Sequence, residues 1–167
     1  MVKLIAVKKL LWLKNVSRRT LIAFLPALAK PDDELAKTIL SDEEYELYMA
    51  MDVRDRDHAG LVSKALLNSY ENASPELIRA AFLHDIGKTS SGYNPIERIV
   101  VHFLNNRNIS MHDDLKGLAA LIQRKMYHAE YGAKMIANER VAQIVQRHHQ
   151  PDGDKDAEIL KSIEEVY

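Results

Sequence analysis

Residues 74–88 read SPELIRAAFLHDIGK and carry the clearest structural signal in this chain of 167 residues. Ser74 is a typical helix N-cap, and Pro75 suits the first helical turn because the N–H that proline lacks is not needed there. We therefore predict a helix from Pro75 to about Asp85, which Gly87 ends. Apolar side chains at helical spacing predict its buried face, namely Leu77, Ile78, Ala81 and Phe82.

The same helix ends in two polar residues, His84 and Asp85, directly after an almost wholly apolar run. Burying both side chains is costly unless each has a partner, and a divalent cation satisfies both. A hydrogen bond between the two side chains at the helix end is the simpler alternative. These two residues alone do not decide between a metal site and a helix cap.

Helical punctuation and apolar residues three and four apart recur through the rest of the sequence, which predicts an all-α, compact multi-helix bundle. Ser41 with Glu44 forms a capping box, and a break is expected between the first two helices near Asn15 to Ser17. The length suits one domain, and no strand pattern, repeat or linker is evident. The predicted helices are Leu4–Leu13, Leu21–Ala29, Pro31–Leu40, Ser41–Met51, Asp55–Tyr70, Pro75–Asp85, Pro95–Asn105, Leu115–Met126, His128–Ala137, Glu139–His149 and Asp156–Val166.

The composition limits the chemistry that the chain can carry. Hydrophobic residues make up 47% and charged residues 28%, so a sizeable core can form. Cysteine is absent, which excludes a disulfide scaffold, a thiolate zinc site, an iron–sulfur cluster and a cysteine nucleophile. A bound metal must therefore take nitrogen and oxygen ligands.

The charges are distributed unevenly. Residues 1–30 hold seven lysines and arginines and no acid, so the formal net charge of −1 leaves the rest of the chain at about −8. We expect residues 1–40 to form a basic helical extension that packs on the acidic body, with binding to a membrane surface or a polyanion as the alternative. The longest uncharged apolar run there, Thr20 to Ala29, is too short to span a bilayer. We expect a cytoplasmic protein.

Three further histidines lie beside apolar helix faces. His58 precedes Leu61 and Val62, His128 opens a predicted helix, and His148 closes another. Each also has a simpler interpretation, as a surface histidine among charges, a half-exposed N-terminal residue and a helix C-cap, respectively.

Together with His84-Asp85-Ile86-Gly87-Lys88, this order of histidines resembles the HD-domain superfamily of metal-dependent phosphohydrolases. The resemblance runs from about Ser41 to the C-terminus, so residues 41–167 are interpreted as an HD domain. It is strongest to small bacterial stand-alone HD proteins, and it does not explain the first 40 residues.

The resemblance implies a site for one or two divalent ions, for which the donor set suits Mn, Fe, Zn or Ni equally well. His58, His84 and Asp85 would bind the first ion. Asp85 would bridge to a second ion held by His128 and His148, with His149 as the competing choice. Where superfamily members end the site with an aspartate, this chain has Glu164, and Asp154 and Asp156 are alternative donors.

The resemblance also implies a phosphohydrolase that cleaves a phosphate ester or anhydride by attack of a metal-bound hydroxide. Asp85 and Lys88 would be catalytic, and Lys88, Arg54 and Arg56 would bind the substrate. In the simpler interpretation Lys88 is a solvated loop residue, and the two arginines belong to a surface charge cluster.

We expect a small phosphorylated substrate, in particular a nucleotide, rather than nucleic acid, and a homo-oligomer is compatible with the sequence. Two rival functions remain. One is a di-iron oxygenase with the same ligands, and the other is a nucleotide-sensing regulatory module, which Glu164 and the basic N-terminal segment would suit.

Overall fold

The computed structural model describes residues 2–91 and 115–167, and this part of the chain is helical without strands. Two short 3₁₀ segments, Pro26–Leu28 and Ile86–Ser91, join longer helices. The α-helices are α1 Val2–Phe24, α2 Asp33–Ile39, α3 Asp42–Met49, α4 Val53–Ser69, α5 Pro75–Leu83, α6 Gly117–Ala133, α7 Glu139–Arg147 and α8 Lys155–Glu164. The predicted all-α fold is confirmed.

Several helix starts follow the local signals in the sequence. The Ser41 hydroxyl accepts a hydrogen bond from the Glu44 N–H while the Glu44 carboxylate accepts one from the Ser41 N–H, which completes the predicted capping box. Ser74 caps α5 by accepting from the Leu77 N–H. Residues 92–114, which include the predicted helix Pro95–Asn105, lie outside the described residues.

The predicted break in the first helix is wrong. Helix α1 runs without interruption from Val2 to Phe24, and the chain then turns through Pro26–Leu28 instead of continuing a second helix to Ala29. Asn15, at the expected break, is buried and donates from its side-chain amide to the Val166 carbonyl oxygen at 2.9 Å. A partner 151 residues away therefore keeps this polar residue inside the helix.

The core lies between α4, α5, α7 and α8, with Tyr48 of α3 closing one side. The Tyr48 and Phe82 rings pack edge to face with centroids 5.8 Å apart. Predicted core residues Leu77, Ala81 and Phe82 are fully buried, and Ile78 is partly buried against the same cluster. Helix α5 is thus buried from Ala80 to its end at Leu83, which places the following residues, His84 and Asp85, in the interior.

A close backbone approach joins the segment after α5 to α6. A Cβ added at Gly87 would overlap the carbonyl oxygen of His128, and one added at Gly132 would lie 2.9 Å from Ile86 Cγ2. Only glycine allows this contact, so Gly87 does more than end a helix. It lets His128 approach Asp85.

Helix α1 docks on the body through polar contacts. The Arg18 guanidinium makes a two-pronged ion pair with the buried carboxylate of Asp57, at 2.5 and 2.7 Å, and the Lys30 N–H donates to the same carboxylate at 2.8 Å. Arg54 donates to the Ala23 carbonyl oxygen at 3.1 Å. Among the described residues, no helix combines the length and apolar character required to cross a bilayer.

Candidate metal centre

The five histidines in the described part of the chain lie in one cluster. Ring centroids are 5.3 Å apart for His58 and His84, 5.5 Å for His84 and His148, and 5.4 Å for His128 and His148. His149 completes the cluster, 3.8 Å from His148 and 4.8 Å from His128. Residues that are up to 91 positions apart in sequence thus converge from α4, α6 and the C-terminal ends of α5 and α7.

Three of these imidazoles are held in one orientation by backbone carbonyls of the helices that carry them. The Nδ1 atoms of His84, His128 and His148 each contact the carbonyl oxygen three residues earlier, at 2.9, 2.7 and 2.5 Å. A carbonyl oxygen can only accept, so Nδ1 must carry the proton and Nε2 keeps its lone pair. His84 and His148 are C-caps of α5 and α7, and Tyr127, directly before His128, has a non-helical backbone that kinks α6.

The cluster contains buried polar atoms whose hydrogen-bonding needs the described side chains do not meet. Both ring nitrogens of His58 and the Nε2 atoms of His84 and His148 have no hydrogen-bond partner. His58 is only 3% exposed, and His84 and His148 are fully buried. Unsatisfied nitrogens of this kind are costly in a core, and a cation is a partner that would use their lone pairs.

Two groups have ligand atoms close enough together to hold an ion. His58, His84 and Asp85 form one group, and His128, His148 and His149 form the other. Within each group the ligand atoms lie within 4.8 Å of one another. The donors are imidazole nitrogen and carboxylate oxygen, which suit Zn, Mn, Fe or Ni. The residues present therefore fit a divalent metal.

Asp85 belongs to the first group and also approaches His128 of the second. One carboxylate oxygen is 2.5 Å from Lys88 Nζ and 3.4 Å from His128 Nε2, and the other is 3.7 Å from His84 Nε2. Burial raises the pKa of Asp85, but the Lys88 ammonium beside it acts in the opposite direction, and the pKa lies well below the usual range. The carboxylate is ionised at neutral pH, as a metal ligand must be.

The imidazoles are kept neutral by their surroundings. Burial is the main cause that lowers the pKa values of His58 and His128 well below 6.5, with help from Arg19 for His58 and from Lys88 for His128. Burial also lowers the pKa of His148 to about 4. Neutral imidazole is the form that binds metal, so no proton has to be displaced from these rings at neutral pH.

Glu164 and His149 lie at the open side of the cluster. A carboxylate oxygen of Glu164 is 3.8 Å from His148 Nε2 and 3.9 Å from His149 Nδ1. His149 Nε2 is 3.0 Å from His128 Nε2, but the His149 side chain is 44% exposed whereas that of His148 is fully buried. Asp154 and Asp156 instead pair with Arg140, and Asp154 also caps α8, which accounts for both carboxylates.

The two arginines predicted to bind substrate have structural partners. Arg56 pairs with Asp33 at 2.6 Å and lies over the Tyr48 ring, so the structure does not bring it to the histidines. Arg54 is held by Asp52 at 2.7 Å, and it borders a cavity of about 60 Å³ next to His58. The cavity could hold a couple of water molecules but not a nucleotide.

The sequence did not lead us to two basic residues near the cluster. Arg19, on α1, lines the cavity beside His58. Lys125, on α6, has a pKa lowered by burial and then by the Lys88 charge, and its carbonyl oxygen holds His128. The spacing of three between Lys125 and His128 could have revealed Lys125. Nothing in the sequence relates Arg19 to His58, because the contact depends on how α1 docks.

A helical bundle that gathers histidines around a buried aspartate is the arrangement of HD-domain proteins, and the chain belongs to the HD-domain superfamily. The family model that matches is described as "Cas3, HD domain" and covers residues 46–166. No curated protein and no solved structure matches the chain at a significant level. Superfamily membership places the chain among metal-dependent hydrolases, and HD domains bind divalent metals. Helices α1 and α2 precede the matched residues.

Proposed function

We propose that the protein is a metal-dependent phosphohydrolase that cleaves a phosphate ester or anhydride, in particular of a nucleotide. The observation that carries this proposal is the convergence of His58, His84, His148 and Asp85, with buried ring nitrogens that lack hydrogen-bond partners. A core that needed these residues only for packing would be more stable with apolar side chains at the same positions.

The residues divide into two ligand sets around Asp85. His58 and His84 with Asp85 would hold one ion, and His128 and His148 with Glu164 would hold a second, with Asp85 between them. A divalent ion bound there activates water and neutralises charge on a phosphate group. His84, His128 and His148 would keep their orientation without adjustment, because a backbone carbonyl three residues earlier fixes each ring through Nδ1.

The charge around the cluster favours an anionic substrate. Lys88 contacts Asp85. The Lys88 charge helps to lower the pKa of Lys125, and the Arg19 charge helps to lower the pKa of His58. Lys88 would contact a phosphate oxygen and remain paired with Asp85. We also propose Arg54 and Arg56 as substrate ligands. To contact a phosphate group, each guanidinium would have to bind it in addition to its present partner, which is Asp52 for Arg54 and Asp33 for Arg56.

A second candidate is a nuclease that cleaves the phosphodiester bonds of DNA or RNA. The family model that matches is that of the Cas3 HD domain, a nuclease domain. The sequence led us to expect a small substrate rather than nucleic acid, so both substrate classes belong in the test. A cytoplasmic location and a homo-oligomer stay predictions.

The test measures phosphate release from nucleotides and strand cleavage of oligonucleotides by the purified full chain supplied with Mn, Fe, Co, Ni or Zn. The substrates are nucleoside mono-, di- and triphosphates, and single-stranded DNA and RNA oligonucleotides. We expect hydrolysis of a nucleotide that requires metal and falls at least about 100-fold in His84→Ala. Cleavage of oligonucleotides alone would support the nuclease, oxygen uptake with iron and no phosphate release would support the oxygenase, and tight nucleotide binding without turnover would support the regulatory module.

A further inference from the structure

Helix α1 and the turn that follows it expose an unusual amount of apolar surface. Of the large hydrophobic side chains that are exposed among the described residues, eight of thirteen lie between residues 10 and 28. They are Leu10, Trp12, Leu13, Val16, Leu21, Phe24, Leu25 and Leu28. Leu10 is 70% exposed and Phe24 is 54% exposed. Single exposed apolar residues are ordinary, but a contiguous set of this size marks a binding surface.

The helical period places these side chains on one half of α1. At 3.6 residues per turn, the exposed apolar residues of α1 between Leu10 and Phe24 fall on one continuous half-cylinder, and within this stretch of the helix no charged residue lies on that half. Lys14 lies at one edge of this half and Arg19 at the other. We call this half the outer face of α1.

The opposite half of α1 carries the contacts with the rest of the protein. Asn15 and Arg18 bond to Val166 and Asp57, and Ile22 is the buried apolar residue between them. A helix in a water-soluble bundle normally turns its apolar side inward and its polar side to solvent. In α1 the arrangement is reversed, so the outer face needs an apolar environment that the described part of the chain does not provide.

The charge of the segment indicates what that environment is. Residues 1–30 carry seven bases and no acid, and Lys14 and Arg19 border the outer face. We propose that α1 lies in the plane of an anionic phospholipid surface, with its outer face among the acyl chains and its bases at the headgroups. Trp12, at the edge of the outer face, suits the boundary between headgroup and acyl chain.

Other occupants fit the charge less well. Two copies of α1 packed through their outer faces would bring six bases from each helix together with no acid on either helix. A membrane-spanning arrangement requires a longer uncharged segment than α1 offers. An acidic protein would pair with the bases. It would not explain why the outer face between Leu10 and Phe24 carries apolar side chains and no charge.

The test uses the full chain and vesicles of two compositions, phosphatidylcholine with 30% phosphatidylglycerol and phosphatidylcholine alone. Trp12 is the single tryptophan of the chain, so its fluorescence reports on α1 alone. We expect co-sedimentation with the anionic vesicles, a blue shift of Trp12 emission, and weaker binding at high salt because the charges are screened.

The variant Leu13→Gln with Phe24→Gln removes apolar surface from the outer face without changing the charge, and both side chains are exposed, so the fold should tolerate it. Its vesicle partition coefficient should fall at least about tenfold. The matched control, Leu67→Gln with Met135→Gln, changes two exposed apolar residues elsewhere and should bind as the unaltered chain does.

Equal binding to neutral vesicles, an equal loss in the control variant, or no binding to either vesicle would overturn the proposal. Capture of an acidic peptide by a chain that ignores vesicles would overturn it as well. None of these readouts depends on hydrolysis, so the lipid-binding and phosphohydrolase proposals can fail separately.

Discussion

At the residue level, His84 and His148 use one ring nitrogen for a backbone hydrogen bond and keep the other available as a ligand. The sequence alone left open whether His148 caps a helix or binds a metal. The structure shows that one imidazole can do both, because Nδ1 bonds to the Val145 carbonyl oxygen at the end of α7 while Nε2 points into the buried cluster. The same holds for His84 and the Ala81 carbonyl oxygen at the end of α5.

This division predicts that His148 and His149 contribute unequally. His148→Ala should lower metal affinity by about 10- to 100-fold or more, because it removes a fixed and buried ligand. His149→Ala should lower it less, because the ring is 44% exposed and has no helix-end contact to hold it. The measurement is elemental analysis after dialysis against a series of metal concentrations. A larger loss in His149→Ala would reverse the assignment.

The sequence predicted which histidines are buried better than it predicted which of two adjacent histidines, His148 or His149, is the metal ligand. Apolar flanks place His58 and His84 in the core, and both are buried. Adjacent histidines, by contrast, differ by 100° around a helix, so choosing between His148 and His149 requires knowing that α7 ends at Arg147. Glu164 could be located only once α8 had been docked beside α7.

At the level of helices and their contacts, the site depends on the tight approach of the segment after α5 to α6. Gly87→Ala should destabilise the protein by about 1–3 kcal/mol or more, because the added methyl group meets the backbone of His128, which cannot rotate away. Metal binding should also weaken as His128 moves from Asp85. Urea unfolding and metal titration measure the two effects.

Gly60→Ala is the matched control for this substitution. Gly60 lies inside α4, and the nearest atom to an added Cβ is the Asp32 backbone nitrogen at 3.5 Å, which is an ordinary contact. Alanine is favoured over glycine in a helix, so the control should stabilise the protein by about 0.4–1 kcal/mol. Similar losses in both variants would show that the approach of Gly87 to His128 has no special role.

The docking of α1 provides a second prediction about helix contacts. Arg18→Ala should cost about 1–3 kcal/mol, because the buried Asp57 carboxylate loses both bonds to the guanidinium and keeps only the Lys30 N–H. Arg147→Ala is the control, since Arg147 is exposed and its contact with Asp154 is 3.9 Å long. Urea unfolding should show almost no loss in the control. Equal losses would mean that the pair between Arg18 and Asp57 does not stabilise the docking of α1.

The continuity of α1 shows where sequence reasoning failed. Polar residues near Asn15 predicted a break, and the predicted second helix continued past Pro26. The polar residue and the proline have different effects from those predicted. Asn15 is satisfied by the far end of the chain, and the helix stops before Pro26 because a proline cannot donate the hydrogen bond that would extend it. Local caps such as Ser41 and Ser74 were predicted because their partners lie three residues away.

At the level of the whole molecule, the burial of neutral histidines links stability to pH. In the metal-free protein, His58, His128 and His148 have pKa values below 6.5, the value expected when the chain is unfolded. The unfolded chain therefore binds more protons as the pH falls through 6.5, and stability falls with it. For His148 the loss continues to about pH 4, where the folded protein also takes up the proton.

We expect the free energy of unfolding of the metal-free protein to be constant between pH 8 and 7 and then to fall by about 1.4 kcal/mol per pH unit for each histidine that titrates only in the unfolded state. Urea unfolding at stepped pH in the presence of a chelator measures this slope. His148→Gln should reduce the slope between pH 6 and 4.5 by about one histidine's share, whatever its effect on stability at pH 8. Bound metal should raise stability at pH 8 and lose this effect on acidification, because protons compete for the same ring nitrogens. A flat profile down to pH 5 without metal would mean that these imidazoles are already hydrated in the folded protein, and the buried metal centre would then have no basis.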